Sequence, residues 1–335
     1  MRVSPSAPAE PEVPAPRRLP RWTDVAALAV GLGLLVYVLS RFPLGDVWRA
    51  CKHAGPMVLL TPLVALGWIV LNTFGMSVLV DGKVPFGQLL HNRLVGDGYN
   101  MLLPLAGLGG EPWKLRHLST FVPTPVAVAA LIRDRVIENA VGFVVTAIVI
   151  AVGVGHFALP RPLHTALVGY SIVAVVLAVL SSALVVTRLP GKAGNLVAKL
   201  LGVGGADTGP APEPLPLTRF ARVAFWNFLG RIVGSVEVAV LLYALGPGFD
   251  VARTVFIDCV NNAAGFIGFV IPQGLGVNEG TTVYLLGALG YAGPVAVAFA
   301  LVRRGRMLVV SLLGVLLHLA RRQSQTPSQT KTPAR

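Results

Sequence analysis

The chain has 335 residues, 54% hydrophobic and 13% charged, with a mean hydropathy of +0.71 and a net charge of +13. Soluble domains carry roughly twice that share of charge, so composition excludes a water-soluble globular fold, and continuous rather than alternating apolar runs exclude a β-barrel. The basic residues fall in terminal and loop segments with no nucleic-acid motif beside them, so they read as a membrane-topology signal and not as a nucleic-acid site.

In chain order, residues 1–21 are rich in Pro, Ala and Arg and read as a disordered cytoplasmic arm. Val25–Leu39 follows a basic stretch as a signal peptide would, but Ser40-Arg41-Phe42-Pro43 offers no small-x-small cleavage site, so a retained first helix is expected. Leu44–Ala54, with Arg49 and Lys52, reads as an amphipathic surface helix. Spanning helices are predicted near 24–40, 56–80, 124–154, 163–187, 220–245 and 294–320, against the ~20 residues a crossing requires. Segments 85–121 and 251–291 are apolar but interrupted by Pro and Gly, and each must return to the side it left. A Gly- and Pro-rich linker, 189–218, divides a transmembrane domain (22–320) into halves 22–188 and 219–320, and 321–335 is a cytoplasmic tail. The expected fold is therefore an all-α integral membrane protein. It has about six spanning helices plus two broken or re-entrant hairpins, with both termini cytoplasmic under the positive-inside rule.

The two broken segments resemble each other. Leu103-Pro104-Leu105-Ala106-Gly107-Leu108-Gly109-Gly110-Glu111 parallels Ile271-Pro272-Gln273-Gly274-Leu275-Gly276-Val277-Asn278-Glu279, with Pro and Glu seven apart in both. Downstream, Pro125-Val126-Ala127-Val128-Ala129 parallels Pro294-Val295-Ala296-Val297-Ala298, and each run leads to arginines, Arg133 and Arg135 or Arg303 and Arg304. The predicted topology has the copies entering from opposite sides. Inverted repeats with interrupted helices are a transporter architecture, with the binding site where the copies meet.

Glu111-Pro112 and Glu279-Gly280 read as helix starts whose N–H groups, beside Gly109, Gly110, Gly274 and Gly276, suit an anion. The bland alternative is a tight turn with Glu stabilising the helix N-terminus. Met307–Ala320 is too short to span alone, which places Arg303, Arg304 and Arg306 inside the membrane. Three central arginines would cost on the order of 10 kcal/mol unless paired or hydrated. Asp134 and Glu138, one helical turn apart, and Glu111 and Glu279 are the candidate partners. The apparent positive surplus suggests an anionic ligand or lipid headgroup. Gly96-Asp97-Gly98 reads as a turn or bend. Arg231, Glu237, Asn139, Asn227, Asn261 and Asn262 add polar groups, the asparagines mainly for helix–helix hydrogen bonds. The six histidines lack metal spacing, the two cysteines read as packing residues, and no nucleotide or hydrolase motif occurs, so neither a cofactor nor a metal is expected.

Leu103–Glu111, Arg133-Asp134-Arg135 and Pro272–Glu279 resemble the transmembrane domain of the lysylphosphatidylglycerol synthases, the flippase-like family, over roughly residues 24–320. Gln273 departs from a frequent Gly of that family. In fused members this domain carries aminoacylated phosphatidylglycerol across the bilayer and a separate soluble domain performs the aminoacyl transfer. This chain ends soon after its last helix, so the resemblance implies a stand-alone lipid translocator of the bacterial inner membrane, not an enzyme, similar in size to a group associated with hopanoid biosynthesis. Its headgroup ligands would be Arg133, Arg135, Arg303, Arg304 and the four loop glycines. Glu111, Asp134, Glu138 and Glu279 would pair charges or couple transport to protons. Expected partners are membrane lipids and, in a rival reading, lipid-biosynthesis enzymes served by a non-transporting accessory subunit. A further rival is a membrane-embedded lipid-modifying transferase using Asp134 and Glu138 as its carboxylate pair.

Overall fold

The computed structural model describes residues 44–102, 109–186, 213–246, 248–267 and 274–325. The predicted arm and first helix, most of the central linker, the tail beyond 325 and the loop segments 103–108 and 268–273 lie outside the described residues. Within them no strand occurs. Helix α1 (Leu44–Ala54) runs through a tight turn (Gly55–Leu59) into α2 (Leu60–Leu79). The first broken segment forms α3 (Phe86–Leu102) and α4 (Glu111–Leu118), followed by α5 (Thr124–His156) and α6 (Arg161–Val186). The second half comprises α7 (Leu217–Ala244), α8 (Val251–Ile267), α9 (Val277–Ala288) and α10 (Gly293–Gln325).

Local sequence sets these boundaries. Pro112, Pro125 and Pro294 lie in the first turns of α4, α5 and α10, where the missing N–H costs nothing and the fixed φ favours the helix. α7 and α9 both stop at a glycine with positive φ just beyond the helix, Gly246 at +93° and Gly290 at +87°, a conformation that side chains with a Cβ resist. Among the described residues four helical stretches are long and apolar enough to cross a membrane: Gly45–Leu79, Thr124–His156, Arg161–Ala183 and Leu217–Ala244. α10 has 33 residues, or ~50 Å at 1.5 Å each, but carries Arg303, Arg304 and Arg306. The bundle exterior is apolar, with Ile148, Val152, Ile172, Val179 and Leu180 all exposed. A belt of that kind is stable only against lipid or another apolar surface.

The repeat is visible in three dimensions. Each half contains a 17-residue helix (α3, α8), a short helix (α4, α9) and a 33-residue helix (α5, α10). The equivalent helices α2 and α7 form the most extensive contact between the halves and run antiparallel, Gly67 facing Val233 while Gly75 faces Val223 and Asn227. α3 packs antiparallel on α10, with Gly98 against Ser311 and Gly314 against Leu94. Its counterpart, α8, packs antiparallel on α5, with Phe256 against Gly153 and Phe266 against Phe143. Each half thus lays its long helix on the first hairpin helix of the other, and the halves run in opposite directions. Both broken segments double back on themselves. Asn100 meets Gly110 and His91 meets His117 across α3–α4; Asn261 meets Thr282 across α8–α9.

Gly96-Asp97-Gly98 is not the turn its composition suggests; it lies inside α3. The glycines are there for clearance. A Cβ on Gly96 would sit 2.3 Å from the Lys114 side chain, and one on Gly98 would sit 2.7 Å from the Ser311 carbonyl oxygen. Across the same crossing a Cβ on Gly314 would lie 2.2 Å from the Leu94 carbonyl oxygen. Gly314→Val should therefore push α10 off α3 and cost about 1–3 kcal/mol, read as a lower melting temperature in detergent. Gly142→Ala, with nothing within 4 Å of the new methyl, should leave it unchanged or slightly raised.

Candidate functional site

Among the described residues two adjoining cavities open between the helices, one toward each half. The first, ≈ 320 Å³, is bounded by α2, α3, α4, α5 and α10, and the second, ≈ 400 Å³, by α2, α7, α8, α9 and α10. Trp68, Arg306 and Met307 border both and form the wall between them.

In the first half, Arg93 of α3 reaches across to α5. Its two terminal nitrogens bind Asp134 Oδ2 at 3.0 Å and Glu138 Oε2 at 2.9 Å, and one also donates to the Asn72 carbonyl at 3.2 Å. Asn72 returns a hydrogen bond to Glu138 at 3.2 Å. Lys114 of α4 stretches over Gly96 to contact Asp97 at 2.8 Å and Glu111 at 3.1 Å. Glu111 also faces Arg135 at 3.5 Å and accepts from the Asn100 amide at 3.1 Å.

The second half repeats the plan. Arg304 binds Glu279 at 2.6 Å, and the aligned repeat makes this the counterpart of Arg135–Glu111. Arg303 binds Asp258 at 3.1 Å. Arg303 occupies the repeat position of Asp134, and Asp258 that of Arg93, each being the eighth residue of its 17-residue helix. The same bridge therefore occurs twice with its polarity reversed. Arg306 binds Glu237 of α7 at 2.9 Å.

These pairs explain how so many ions are tolerated. An isolated ion in a low-dielectric interior loses several kcal/mol of solvation, and only a close counter-ion with further hydrogen bonds compensates it. Seven cations (Arg93, Lys114, Arg135, Arg231, Arg303, Arg304, Arg306) and seven anions (Asp97, Glu111, Asp134, Glu138, Glu237, Asp258, Glu279) line or brace the cavities. The positive surplus expected from the α5 and α10 arginines is thus absent among the described residues. The missing anions, Asp97 and Asp258, lie in the hairpin helices.

The structure gathers most of the sequence-derived residues and sets others aside. Arg135, Arg303, Arg304, Glu111, Asp134, Glu138 and Glu279 all belong to the paired network. Arg133 does not, because it points around α5 and donates to the backbone carbonyl of Glu213 before α7. The loop glycines serve packing and helix starts. The Gly110 N–H donates to Asn100 Oδ1 at 2.7 Å, and the Gly276 N–H to Glu279 Oε2 at 2.7 Å, so neither amide is open to an anion. Gly109 and Gly274 line neither of these two cavities, and a Cβ on Gly274 would lie 2.5 Å from the Asn278 side chain. Glu279 fills both roles weighed for it, one oxygen capping α9 and the other holding Arg304. Sequence reading missed Arg93, Lys114, Asp97 and Asp258. Aligning the two hairpin helices by length would have set Arg93 opposite Asp258. Among the described residues no group of His, Cys, Asp or Glu is arranged to hold a metal ion.

The family model described as the lysylphosphatidylglycerol synthase TM region matches residues 25–314. None of the curated proteins matches the chain.

Removing one member of a buried pair strands the other. Arg303→Ala should cost about 3–5 kcal/mol by leaving Asp258 uncompensated. The double exchange Arg303→Asp with Asp258→Arg, which copies the polarity of the first half, should recover much of the lost melting temperature in detergent.

Proposed function

Starting from the chain's membership of the lysylphosphatidylglycerol synthase transmembrane family, a family of membrane proteins in lipid-related processes, we propose that it carries lipid between the leaflets of a bacterial inner membrane. The observation that carries this reading is the pair of charged cavities, one in each inverted half, inside a bundle with an apolar exterior. Ionisable groups inside a membrane are costly and mark substrate or ion pathways. Inverted halves meeting at a polar centre are the arrangement that alternating access uses. The headgroup of an anionic phospholipid or a hopanoid-type lipid enters a cavity while its apolar body stays in the surrounding lipid. Opening a path from one cavity to the other requires the Arg306–Glu237 pair and Trp68 to move, since they stand between them.

The hairpins act as the re-entrant elements in this scheme, each doubling back within the bundle. Lys83, Arg219 and Arg222 cluster where α2 ends and α7 begins, tied by the Asp81–Arg219 bridge at 2.8 Å. Under the positive-inside rule that end is cytoplasmic, which agrees with cytoplasmic termini. Asp134 and Glu138 both bind Arg93, which supports charge pairing over acid–base catalysis for them.

The test is reconstitution of the full chain in vesicles with fluorescent phospholipids, exchange being read by quenching of the outer leaflet. The chain should accelerate exchange of an anionic or polycyclic lipid. Arg306→Met, at the wall between the cavities, should slow it about tenfold or more, the size of losing one charge-assisted contact. No acceleration with any such lipid overturns the proposal.

A further inference from the structure

The two cavities are not chemically alike. In the first, the amides are consumed by the fold. Asn92 donates to the Lys114 carbonyl at 2.8 Å, and Asn100 bridges Gly110 and Glu111. In the second, Asn261, Asn262 and Asn278 converge with Thr282 on open space. Asn261 Oδ1 accepts from Thr282 at 2.8 Å, but its Nδ2 is buried without a partner among the described residues, as is Asn278 Oδ1. Arg303 Nη1 is in the same condition, although its Nη2 is held by Asp258. The wall of the second cavity therefore holds an unpartnered amide donor, an unpartnered amide acceptor and an unpartnered guanidinium donor, whereas the unpartnered atoms of the first, Arg93 Nε and Asp134 Oδ1, include no amide.

Buried polar groups left open in this way cost stability unless something enters to meet them. The chemistry of that occupant follows from the lining. A phosphate or carboxylate accepts only and wants uncompensated donors, yet Arg303, Arg304 and Arg306 are each neutralised by a carboxylate. An ammonium donates only and would leave Asn261 Nδ2 and Arg303 Nη1 unmet. A hydroxyl both donates and accepts, and a set of hydroxyls on one ring or chain matches alternating amide donors and acceptors. Arg231, for which no carboxylate partner occurs among the described residues, leaves room for at most one phosphodiester beside them. Building on the translocation reading above, we propose that the second cavity is a polyol subsite that selects lipids by a polyhydroxylated headgroup, a sugar or a cyclic polyol.

Native mass spectrometry of the full chain in detergent, titrated with glycosyldiacylglycerol, phosphatidylinositol and phosphatidic acid, tests this directly. At least one polyol lipid should bind about tenfold more tightly than phosphatidic acid, the scale expected of two or three added hydrogen bonds. A preference for both polyol lipids assigns recognition to the hydroxyls alone. A preference confined to phosphatidylinositol, lost in Arg231→Gln, adds the phosphodiester. Asn278→Asp, which keeps size and the acceptor oxygen, and Asn261→Leu should each erase the preference while leaving phosphatidic acid binding in place, with melting temperature confirming the fold. Equal binding of all three lipids by the native chain, or a preference that survives both substitutions, overturns the proposal. The two readings fail separately. Selective binding without movement between leaflets would sink translocation alone, and movement of every lipid without selective binding would sink the polyol subsite alone.

Discussion

A cation inside an apolar bundle costs least when a counter-ion meets it there, because little water is at hand to share the charge. This constraint organises the interior. Each long helix, α5 and α10, brings ionic side chains to the centre, and the helices around it supply the opposite sign: α3 and α4 in the first half, α7, α8 and α9 in the second. The hairpins are therefore structural counterparts of the long helices as well as walls of the cavities. Buried bridges of this kind add little net stability relative to apolar packing. Their persistence in a bundle that could be filled with leucine supports a role beyond holding the helices together.

The interior also depends on close backbone approach. Lys114 reaches Asp97 only because Gly96 leaves its path clear, and α10 comes near α3 only because Gly98 and Gly314 present no side chain at the crossing. Sequence composition marks such glycines as breakers. In a tightly packed membrane bundle, small residues are what allow helices to meet. The polar network and the glycine contacts meet at α3, where Gly96 clears the way for the Lys114–Asp97 pair and Gly98 lets α10 close on the same helix.

Much of the architecture was legible before any coordinates. Apolar run length gave the long helices, and the Pro–Glu and Pro-Val-Ala-Val-Ala patterns gave the repeat. Glu111 and Glu279 are candidate partners for the intramembrane arginines on sequence grounds, and in the structure they lie against Arg135 and Arg304. The rest lay in pairings that no local pattern encodes. Arg93 looks like a lone charge between His91-Asn92 and Leu94-Val95, and only the α3–α5 contact shows it satisfying two carboxylates. Asp258 lies upstream of the repeated motif, where no shared residue type ties it to Arg93. Arg133 shares a sequence motif with Arg135 yet faces another direction, because residues two positions apart on a helix are separated by ~200° around its axis.

The reversed bridge, Arg93–Asp134 in one half and Asp258–Arg303 in the other, has a consequence for the assembly of the whole. Among the described residues every buried ion pair closes within its own half, and the bridge that joins them, Asp81–Arg219, lies at the surface. Apolar helix faces and interlocking glycines hold the halves together. Severing the chain in the central linker would thus orphan no interior ion. Two separately synthesised fragments would each enter the bilayer with their ion pairs closed, the first with one carboxylate in excess and the second with Arg231 in excess, free to recognise one another by shape and by that opposite charge.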